Sequence, residues 1–382
     1  MSATTLINPI LEGNRLSISR LLTQVENDSP EGRAALAELF PHTGKAHLIG
    51  VTGAPGTGKS SLVNQLALHY RKNDASRKRI AIVAVDPSSP FTGGAVLGDR
   101  VRMRDLSGDD GVFIRSMATR GSLGGIAQTT ASFAQVFDAA GFEIVIIETV
   151  GAGQSEVDIA RLAHTTIVVE APGLGDDIQA IKAGILEIAD VLVINKADRP
   201  GVEITERALR STLELAHPIR HIFRHHGQTM SVNVTLSEAT LAPGASAGES
   251  LQGKQSDSSP SNAAQNDMPD LWIPPIHKTV ATEGKGIPEL ADSIAKHVAH
   301  LRQSGDWAAR DRARLGSELD ALIREALMSR FVENVQREKY NEVVEKVLNR
   351  SLAPYEAVKF LLNGNAHHPN PPFGGGAGDE GK

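Results

Sequence analysis

A glycine-rich segment between an apolar run and an amphipathic stretch narrows the possible folds of this chain more than any other part of the sequence. Residues 53–60 read Gly-Ala-Pro-Gly-Thr-Gly-Lys-Ser and match the phosphate-loop pattern G-x-x-x-x-G-K-[ST] in full. Residues 48–51 before it are apolar, and the apolar residues after it have helical spacing: Leu62, Val63, Leu66, Ala67 and Leu68. We therefore predict a strand, a phosphate-binding loop and a helix in this order.

The residue types in this loop suit the phosphates of a nucleotide. Its glycines lack a Cβ, so backbone N–H groups can approach a phosphate closely, and the following helix adds the positive end of its dipole. We expect Lys59 to bridge the β- and γ-oxygens and the Ser60 hydroxyl to bind Mg²⁺. A glycine-rich turn without a ligand is the alternative. The predicted nucleotide-binding residues here are Gly53, Ala54, Pro55, Gly56, Thr57, Gly58, Lys59, Ser60 and Ser61.

A second motif, Asn195-Lys196-Ala197-Asp198, directly follows the predicted strand 190–194. The Asp198 carboxylate can accept hydrogen bonds from N1–H and the 2-amino group of guanine, whereas adenine would leave this carboxylate unpaired. Lys196 would lie along the base, and Asn195 would tie this loop to the phosphate loop. A simple turn at the end of a strand is the alternative. Together the two motifs predict a site for GTP and GDP.

Composition argues against several other kinds of protein. The 382 residues include 39 basic and 45 acidic side chains, and the net charge of −6 argues against a general nucleic-acid-binding protein. The absence of cysteine excludes disulfides and thiolate-bound metals. Because we find neither an apolar stretch of transmembrane length nor a secretory or organellar signal, we expect a cytoplasmic protein without a nucleic-acid or membrane partner.

From residue 46 to about residue 200, apolar runs alternate with amphipathic stretches. Most runs are continuous, as in Ile144-Val145-Ile146-Ile147, which indicates strands buried on both faces of a parallel sheet. We predict an α/β fold, a doubly wound, mostly parallel sheet with helical extensions at both ends. The predicted strands are 47–52, 80–85, 112–115, 143–149, 165–170 and 190–194, and the predicted crossover helices include 125–139, 175–187 and 203–216.

The predicted organisation has four parts. Residues 1–45 form an N-terminal helical extension, and residues 46–300 form the nucleotide-binding domain. Within that domain, residues 227–270 form a flexible insertion, because their later part is rich in Ser, Gly, Ala, Pro, Gln and Asn. Residues 301–362 form a C-terminal helical arm with an amphipathic stripe, and residues 363–382 form a disordered tail.

Six further segments connect these motifs. They are Asp86-Pro87-Ser88-Ser89, the run from Gly93 to Arg100, Phe113-Ile114-Arg115-Ser116, the run from Arg120 to Gly125, the run from Glu148 to Glu156, and the run from Pro172 to Asp177. With them, the chain resembles the GTPase chaperones of adenosylcobalamin-dependent acyl-CoA mutases, the methylmalonic aciduria type A or ArgK-like family of P-loop GTPases. The resemblance covers about residues 10–225 and 272–345.

The resemblance implies roles for acidic residues at or after the predicted strand ends. Asp86, Asp99 and Glu148 would lie at the sheet edge that binds ligands in such folds. With the Ser60 hydroxyl they would serve Mg²⁺, which prefers hard oxygen ligands. The alternative for each acid alone is a helix cap or a solvated turn, and the three together favour the metal role.

Glu148-Thr149-Val150-Gly151 occupies the place of the D-x-x-G switch of Ras-like GTPases, so the Gly151 N–H would sense the γ-phosphate. Ras-like proteins carry a water-orienting glutamine directly after this glycine, whereas here Gln154 lies further along. We expect Lys59, Glu148 and Gln154 to be catalytic, with slow intrinsic hydrolysis, and a purely structural role of Gln154 stays open. Spacing does not choose among four candidate transition-state cations, Arg100, Arg102, Arg115 and Arg120.

The resemblance also implies a fifth guanine-binding element and a dimer. Thr279, Val280 and Ala281 occupy the position of this element, with an N–H near Ala281 donating to guanine O6. The C-terminal arm, whose apolar stripe runs through residues 306–348, would make a homodimer. The alternative is that the stripe packs on its own nucleotide-binding domain.

The implied function is a GTP-hydrolysing switch that assists loading or protection of adenosylcobalamin in an acyl-CoA mutase, such as methylmalonyl-CoA mutase. Adenosylcobalamin is expected on the partner, because this chain lacks the cobalamin-binding pattern D-x-H-x-x-G. One alternative is a metal-insertion GTPase, for which His221 and His225 would face one way on a helix. A second is a kinase of a transport protein, against which the guanine-selecting Asp198 argues.

Overall fold

The computed structural model describes residues 4–72, 77–86, 103–106, 108–118, 125–149, 155–173, 188–216, 219–225, 228–234, 272–334 and 337–363. The chain divides into two compact units, Met1–Leu315 and Gly316–Lys382. None of the described helices is long and apolar enough to cross a membrane.

The described strands are β1 His47–Thr52, β2 Ile80–Asp86, β3 Val112–Ala118, β4 Ile144–Glu148, β5 Thr165–Glu170, β6 Val191–Asn195, β7 Ile219–His225, β8 Gln228–Val234 and β9 Ile276–Thr279. Seven of these described strands form one sheet in the order β3-β2-β4-β1-β5-β6-β9. Every neighbouring pair in this sheet is parallel. The carboxyl ends of all seven strands therefore lie at one edge, where α/β sheets bind their ligands.

The described helices are α1 Thr4–Leu11, α2 Arg15–Glu26, α3 Pro30–Leu39, α4 Lys59–Lys72, α5 Gly125–Ala139, α6 Ser155–Leu162, α7 Val202–Ala216, α8 Ile287–Ser304, α9 Asp306–Asn334, α10 Arg337–Leu348 and α11 Pro354–Asn363. Two apolar layers cover the sheet, because alternate residues of a strand point to opposite faces. On β4, Val145 and Ile147 pack with α1, α2, α3 and α5. Ile144 and Ile146 pack with α4 and α8 on the other face.

The N-terminal extension is part of the first unit. Ser29-Pro30 is a favourable pair for a helix start, and α3 begins there with the Ser29 hydroxyl accepting from the Gly32 N–H at 3.0 Å. On α2, the fully buried residues Ile18, Leu21 and Leu22 join the layer that contains α5. The extension thus contributes to the core of the nucleotide-binding domain.

The parallel α/β fold predicted from the sequence is confirmed, and the six predicted strands all form. β3 extends to Ala118 rather than residue 115, because it pairs with β2 along its full length. The predicted helix 203–216 is present as α7, and 125–139 as α5. The predicted helix 175–187 lies outside the described residues.

Three other expectations concern residues 219–304. The placement of His221 and His225 on a helix is wrong, because residues 219–225 form β7, which pairs antiparallel with β8. β8 lies inside the segment predicted as an insertion, and residues 235–270 lie outside the described residues, as do residues 364–382. The boundary predicted at residue 300 falls within α8, which continues to Ser304 and ends at Gly305 with a φ of 85°.

In the second unit, α10 and α11 pack together through the buried residues Val343 and Ala357. The ring of Phe360 on α11 lies 5.3 Å from the Lys339 ammonium and 5.7 Å from that of Lys346. Residues 316–334 of α9 also belong to this unit. They carry a set of large apolar side chains that are each at least 43% exposed: Leu319, Leu322, Ile323, Leu327, Met328 and Val332.

Candidate nucleotide-binding site

The phosphate-loop segment connects β1 to α4 at the carboxyl edge of the sheet. At two positions of the loop only glycine fits, because the backbone φ is positive and a Cβ would overlap neighbouring atoms. A Cβ on Gly53, whose φ is 135°, would overlap the carbonyl oxygen of Val169 on β5. A Cβ on Gly58, whose φ is 92°, would overlap the side-chain nitrogen of Asn195. The loop is thus fixed by close approach to two other strands.

The Lys59 side chain is held over the loop. It is 6% exposed, and its Nζ donates to the carbonyl oxygens of Gly53 at 2.7 Å and Ala54 at 3.0 Å. The Thr57 hydroxyl also donates to the Ala54 carbonyl, at 2.9 Å. Because α4 begins at Lys59, the N–H groups of its first turn and its positive dipole end lie beside the same loop. The arrangement concentrates positive potential at one place.

Ser60 and Glu148 form a buried hydrogen bond. The Ser60 hydroxyl donates to Glu148 Oε1 at 2.6 Å, and the two residues are 8% and 5% exposed. Such a bond to a carboxylate is stronger than one between neutral groups. Hydroxyl and carboxylate oxygens side by side are donors that suit Mg²⁺, so the chemistry of the pair fits the predicted metal role.

The other residues predicted for the metal and the switch are only partly described. β2 ends at Asp86, so the backbone of this residue reaches the same edge as Glu148. Asp99, Gly151 and Gln154 lie outside the described residues. Among the four candidate cations, Arg115 donates to Glu26 of the extension at 2.7 Å, which gives its guanidinium a structural partner. Arg100, Arg102 and Arg120 also lie outside the described residues.

Asn195 joins three segments at the predicted guanine end. The residue is 2% exposed, and its Nδ2 donates to the Thr57 carbonyl of the phosphate loop at 2.9 Å. This is the link between the two motifs that the sequence predicts. Asn195 Oδ1 accepts from the Thr279 hydroxyl and from the Ala281 N–H, both at 3.1 Å. The loop after β9 is therefore held against the loop after β6.

The N–H group predicted to donate to guanine O6 already donates to an acceptor within the protein. Ala281 N–H donates to Asn195, and the Val280 N–H donates to the Lys285 carbonyl at 3.1 Å. Lys196 has a left-handed φ of 56°, and its Nζ donates to the Gly56 carbonyl at 2.5 Å. Asp198 is exposed on the turn that follows, so its carboxylate is accessible to a base.

Sequence reasoning missed a pair of buried hydroxyls between the phosphate loop and the end of β4. The Thr149 hydroxyl donates to the Thr52 hydroxyl at 3.0 Å, and the Thr149 N–H donates to the Val51 carbonyl at 3.1 Å. No sequence motif indicates this pair, because the two threonines meet only when β1 lies beside β4. The parallel register, in which Val51 is opposite Glu148, brings the two threonines together.

A second missed feature lies at the opposite, amino edge of the sheet. Asp190, 9% exposed in its side chain, accepts two hydrogen bonds from Arg310 of α9, both 2.8 Å long, and one of 2.7 Å from the Thr166 N–H. His297 Nε2 of α8 lies 3.2 Å from the same carboxylate. Burial alone would raise the pKa of Asp190, but the hydrogen bonds from Arg310 and the nearby His297 imidazole outweigh it, so that its pKa lies below the ordinary value.

Two more histidines belong to this amino-edge network. His164 Nδ1 accepts from the Leu48 N–H at 3.0 Å, so Nε2 carries the hydrogen and donates to Asp311 of α9 at 3.0 Å. The His164 ring also stacks on Trp307, with 3.9 Å between the ring centroids. Burial lowers the pKa of His164 and lowers that of His47 well below its ordinary value. The first turns of α9 are thus bonded to the sheet through His164 and through the ion pair of Arg310 with Asp190.

Comparison with known proteins identifies the family. The model of a family described as methylmalonyl-CoA mutase-associated GTPase MeaB matches residues 18–336. The chain belongs to this family. It is a GTPase, as its phosphate loop and its guanine motif predict, and the family resemblance drawn from the sequence is confirmed.

Individual relatives extend over most of the chain. A Pyrococcus horikoshii protein whose name describes a GTPase is 38% identical over 357 residues, which is 94% of this chain and 96% of that protein. GTPase ArgK of Escherichia coli is 40% identical over 196 residues, which is 50% of this chain and 58% of that protein. A crystal structure described as an LAO/AO transport system kinase has a TM-score of 0.62 at 24% identity, covering 94% of this chain and 96% of that one. The last comparison supports the fold alone.

Proposed function

We propose that this MeaB-family GTPase is a switch protein that assists loading or protection of adenosylcobalamin in an acyl-CoA mutase, methylmalonyl-CoA mutase or a relative. The observation that carries the proposal is the joined site at the carboxyl edge, where Asn195 bonds to the phosphate loop and Ser60 bonds to Glu148. The family description, which associates these GTPases with a mutase, supports the partner.

The phosphate end of the site suits GTP. Lys59 is held by two backbone carbonyls, and we propose that its ammonium exchanges them for β- and γ-phosphate oxygens when GTP binds. The N–H groups of Gly56, Gly58 and the start of α4 would donate to the same phosphates. Because the Lys59 side chain is already buried, little conformational entropy is lost when it changes partners.

Ser60 and Glu148 would hold Mg²⁺ together with Asp86 and Asp99. Bound there, the ion would neutralise charge on the phosphates. Glu148 orients the Ser60 hydroxyl through their 2.6 Å bond, which fixes one oxygen of the proposed site before any ligand arrives. Gly151 would sense the γ-phosphate and Gln154 would orient the attacking water, so that hydrolysis changes the segment after β4.

The base end of the site suits guanine. The exposed Asp198 carboxylate would accept from N1–H and the 2-amino group, while the Lys196 side chain would cover one face of the base. Ala281 N–H would reach guanine O6 only as a hydrogen bond shared with Asn195 Oδ1, its present acceptor. Thr279 and Val280 would then form part of the wall of the guanine pocket.

We further propose that the mutase carries adenosylcobalamin and that this chain forms a homodimer through residues 316–334 of α9. Three of the exposed apolar side chains there, Leu319, Ile323 and Leu327, recur every four residues. Six large apolar side chains on one surface helix exceed what scattered surface exposure explains. Light scattering should give a dimer mass for the purified protein and a monomer mass after Leu319→Glu with Leu327→Glu.

A pull-down tests the partner. The tagged protein with a non-hydrolysable GTP analogue should retain an acyl-CoA mutase from the source cell, and Lys59→Ala should not. Stoichiometric nickel or zinc binding lost on changing His221 and His225 would favour metal insertion instead. Transfer of the γ-phosphate to a protein side chain would favour a kinase of a transport protein.

A further inference from the structure

Two buried threonine hydroxyls join the places at which two loops leave the sheet. Thr52 is the last residue of β1 and precedes the phosphate loop, and Thr149 directly follows β4. Thr52 is 0% and Thr149 is 2% exposed. Their hydroxyls are 3.0 Å apart, with Thr149 donating to Thr52.

This pair does more than fill space. Valine has nearly the same shape as threonine and would fill the same volume without a polar group that needs a partner. The backbone bond from the Thr149 N–H to Val51 already continues the sheet, so the hydroxyls add a second tie at the same point. Glu148, the residue before Thr149, bonds to Ser60 at the start of α4. The phosphate loop is therefore connected to the end of β4 at both its ends.

We propose that Thr149, through its hydrogen bond to Thr52, is a positioning residue that sets the preference of the protein for GTP over GDP. The phosphate loop contacts the β-phosphate in either nucleotide, whereas only the γ-phosphate would also be contacted from the segment after β4. A bond that fixes the two loop origins relative to each other therefore favours the GTP complex and leaves the GDP complex unchanged. This inference rests on the nucleotide placement proposed above.

The test compares Thr149→Val, Thr149→Ser, Thr52→Val and the double valine variant. Calorimetry with Mg²⁺ measures the dissociation constants of a non-hydrolysable GTP analogue and of GDP, and a phosphate-release assay measures kcat. Loss of one hydrogen bond should lower the GTP-to-GDP affinity ratio and kcat about fivefold in Thr149→Val. Thr149→Ser keeps the hydroxyl and should retain the wild-type ratio. The double variant should be no worse than either single one, since both remove the same bond.

Thr130→Val is the matched control. Thr130 is a buried threonine on α5, away from the loop, and its hydroxyl donates to Met117 Sδ at 3.3 Å. This variant should lower the melting temperature without moving the GTP-to-GDP ratio. If Thr149→Val does not fold, Thr52→Val decides.

An unchanged ratio, or a serine variant as impaired as the valine variant, would overturn the inference while leaving the proposed function intact. If the wild-type protein binds neither nucleotide, the proposed function itself fails, and the two failures are therefore distinguishable.

Discussion

Asp190→Ala should destabilise the first unit more than any single exposed charge substitution. The change removes two hydrogen bonds from Arg310, one from the Thr166 N–H and the contact with His297. Deleting one partner of a buried ion pair costs about 3–5 kcal/mol. The Arg310 side chain is 35% exposed, so water can partly replace its partner, and we expect the lower end, about 3 kcal/mol. Asp190→Asn keeps an acceptor for Thr166, and we expect about 2 kcal/mol.

Denaturant unfolding followed by tryptophan fluorescence measures this loss. Both tryptophans lie at the network, because Trp272 Nε1 donates to the Asp190 carbonyl and Trp307 stacks on His164. Asp28→Asn is the control, since Asp28 and Arg33 form an ion pair with both side chains 62% exposed, and it should change stability by less than about 0.5 kcal/mol. If Asp190→Ala shifted the midpoint no more than this control, the network would not stabilise the fold.

Three further predictions concern the nucleotide site and acid stability. Asp198→Asn should shift binding from GTP toward xanthosine triphosphate, because an amide can donate to the extra carbonyl of xanthine. Competition binding measures the preference for the base, and an unchanged preference would refute the guanine assignment. Gly58→Ala should weaken GTP binding at least about tenfold, because the φ of 92° at this position disfavours a side chain and the new Cβ would displace Asn195. A wild-type affinity for GTP, measured by calorimetry, would contradict this prediction. Stability should fall as the pH drops below about 6.5, because the unfolded chain then protonates His47 and His164 while burial holds their folded pKa values lower. Denaturation midpoints across this range should show a shallower dependence for His47→Gln, and an identical slope would exclude His47 as a cause.

The parallel sheet was predictable because its strands are continuous apolar runs. Residues 144–147 are buried, and such a continuous apolar run is typical of a parallel sheet that helices cover on both faces. The phosphate loop was predictable for a related reason, since its pattern, its preceding strand and its following helix are all local in sequence. Local sequence patterns were therefore sufficient to predict the nucleotide-binding core.

Contacts between distant segments were not predictable in the same way. Arg310 and Asp190 are 120 residues apart, and nothing in either local sequence indicates that they meet. The Thr52 and Thr149 hydroxyls meet only because β1 lies beside β4 in a particular register. The helix proposed for His221 and His225 was wrong because a spacing of four residues places side chains on one face of a strand as well as of a helix. Strand order, register and long-range pairing decide such features.

Calorimetric titration of the purified protein with GTP, GDP and ATP in the presence of Mg²⁺ is the decisive test for a guanine-specific nucleotide site. Saturable binding of one GTP or one GDP per chain is expected, with ATP at least about a hundredfold weaker, because adenine leaves the Asp198 carboxylate without donors. Binding of ATP as tight as that of GTP, or no heat with either guanine nucleotide, would contradict the account.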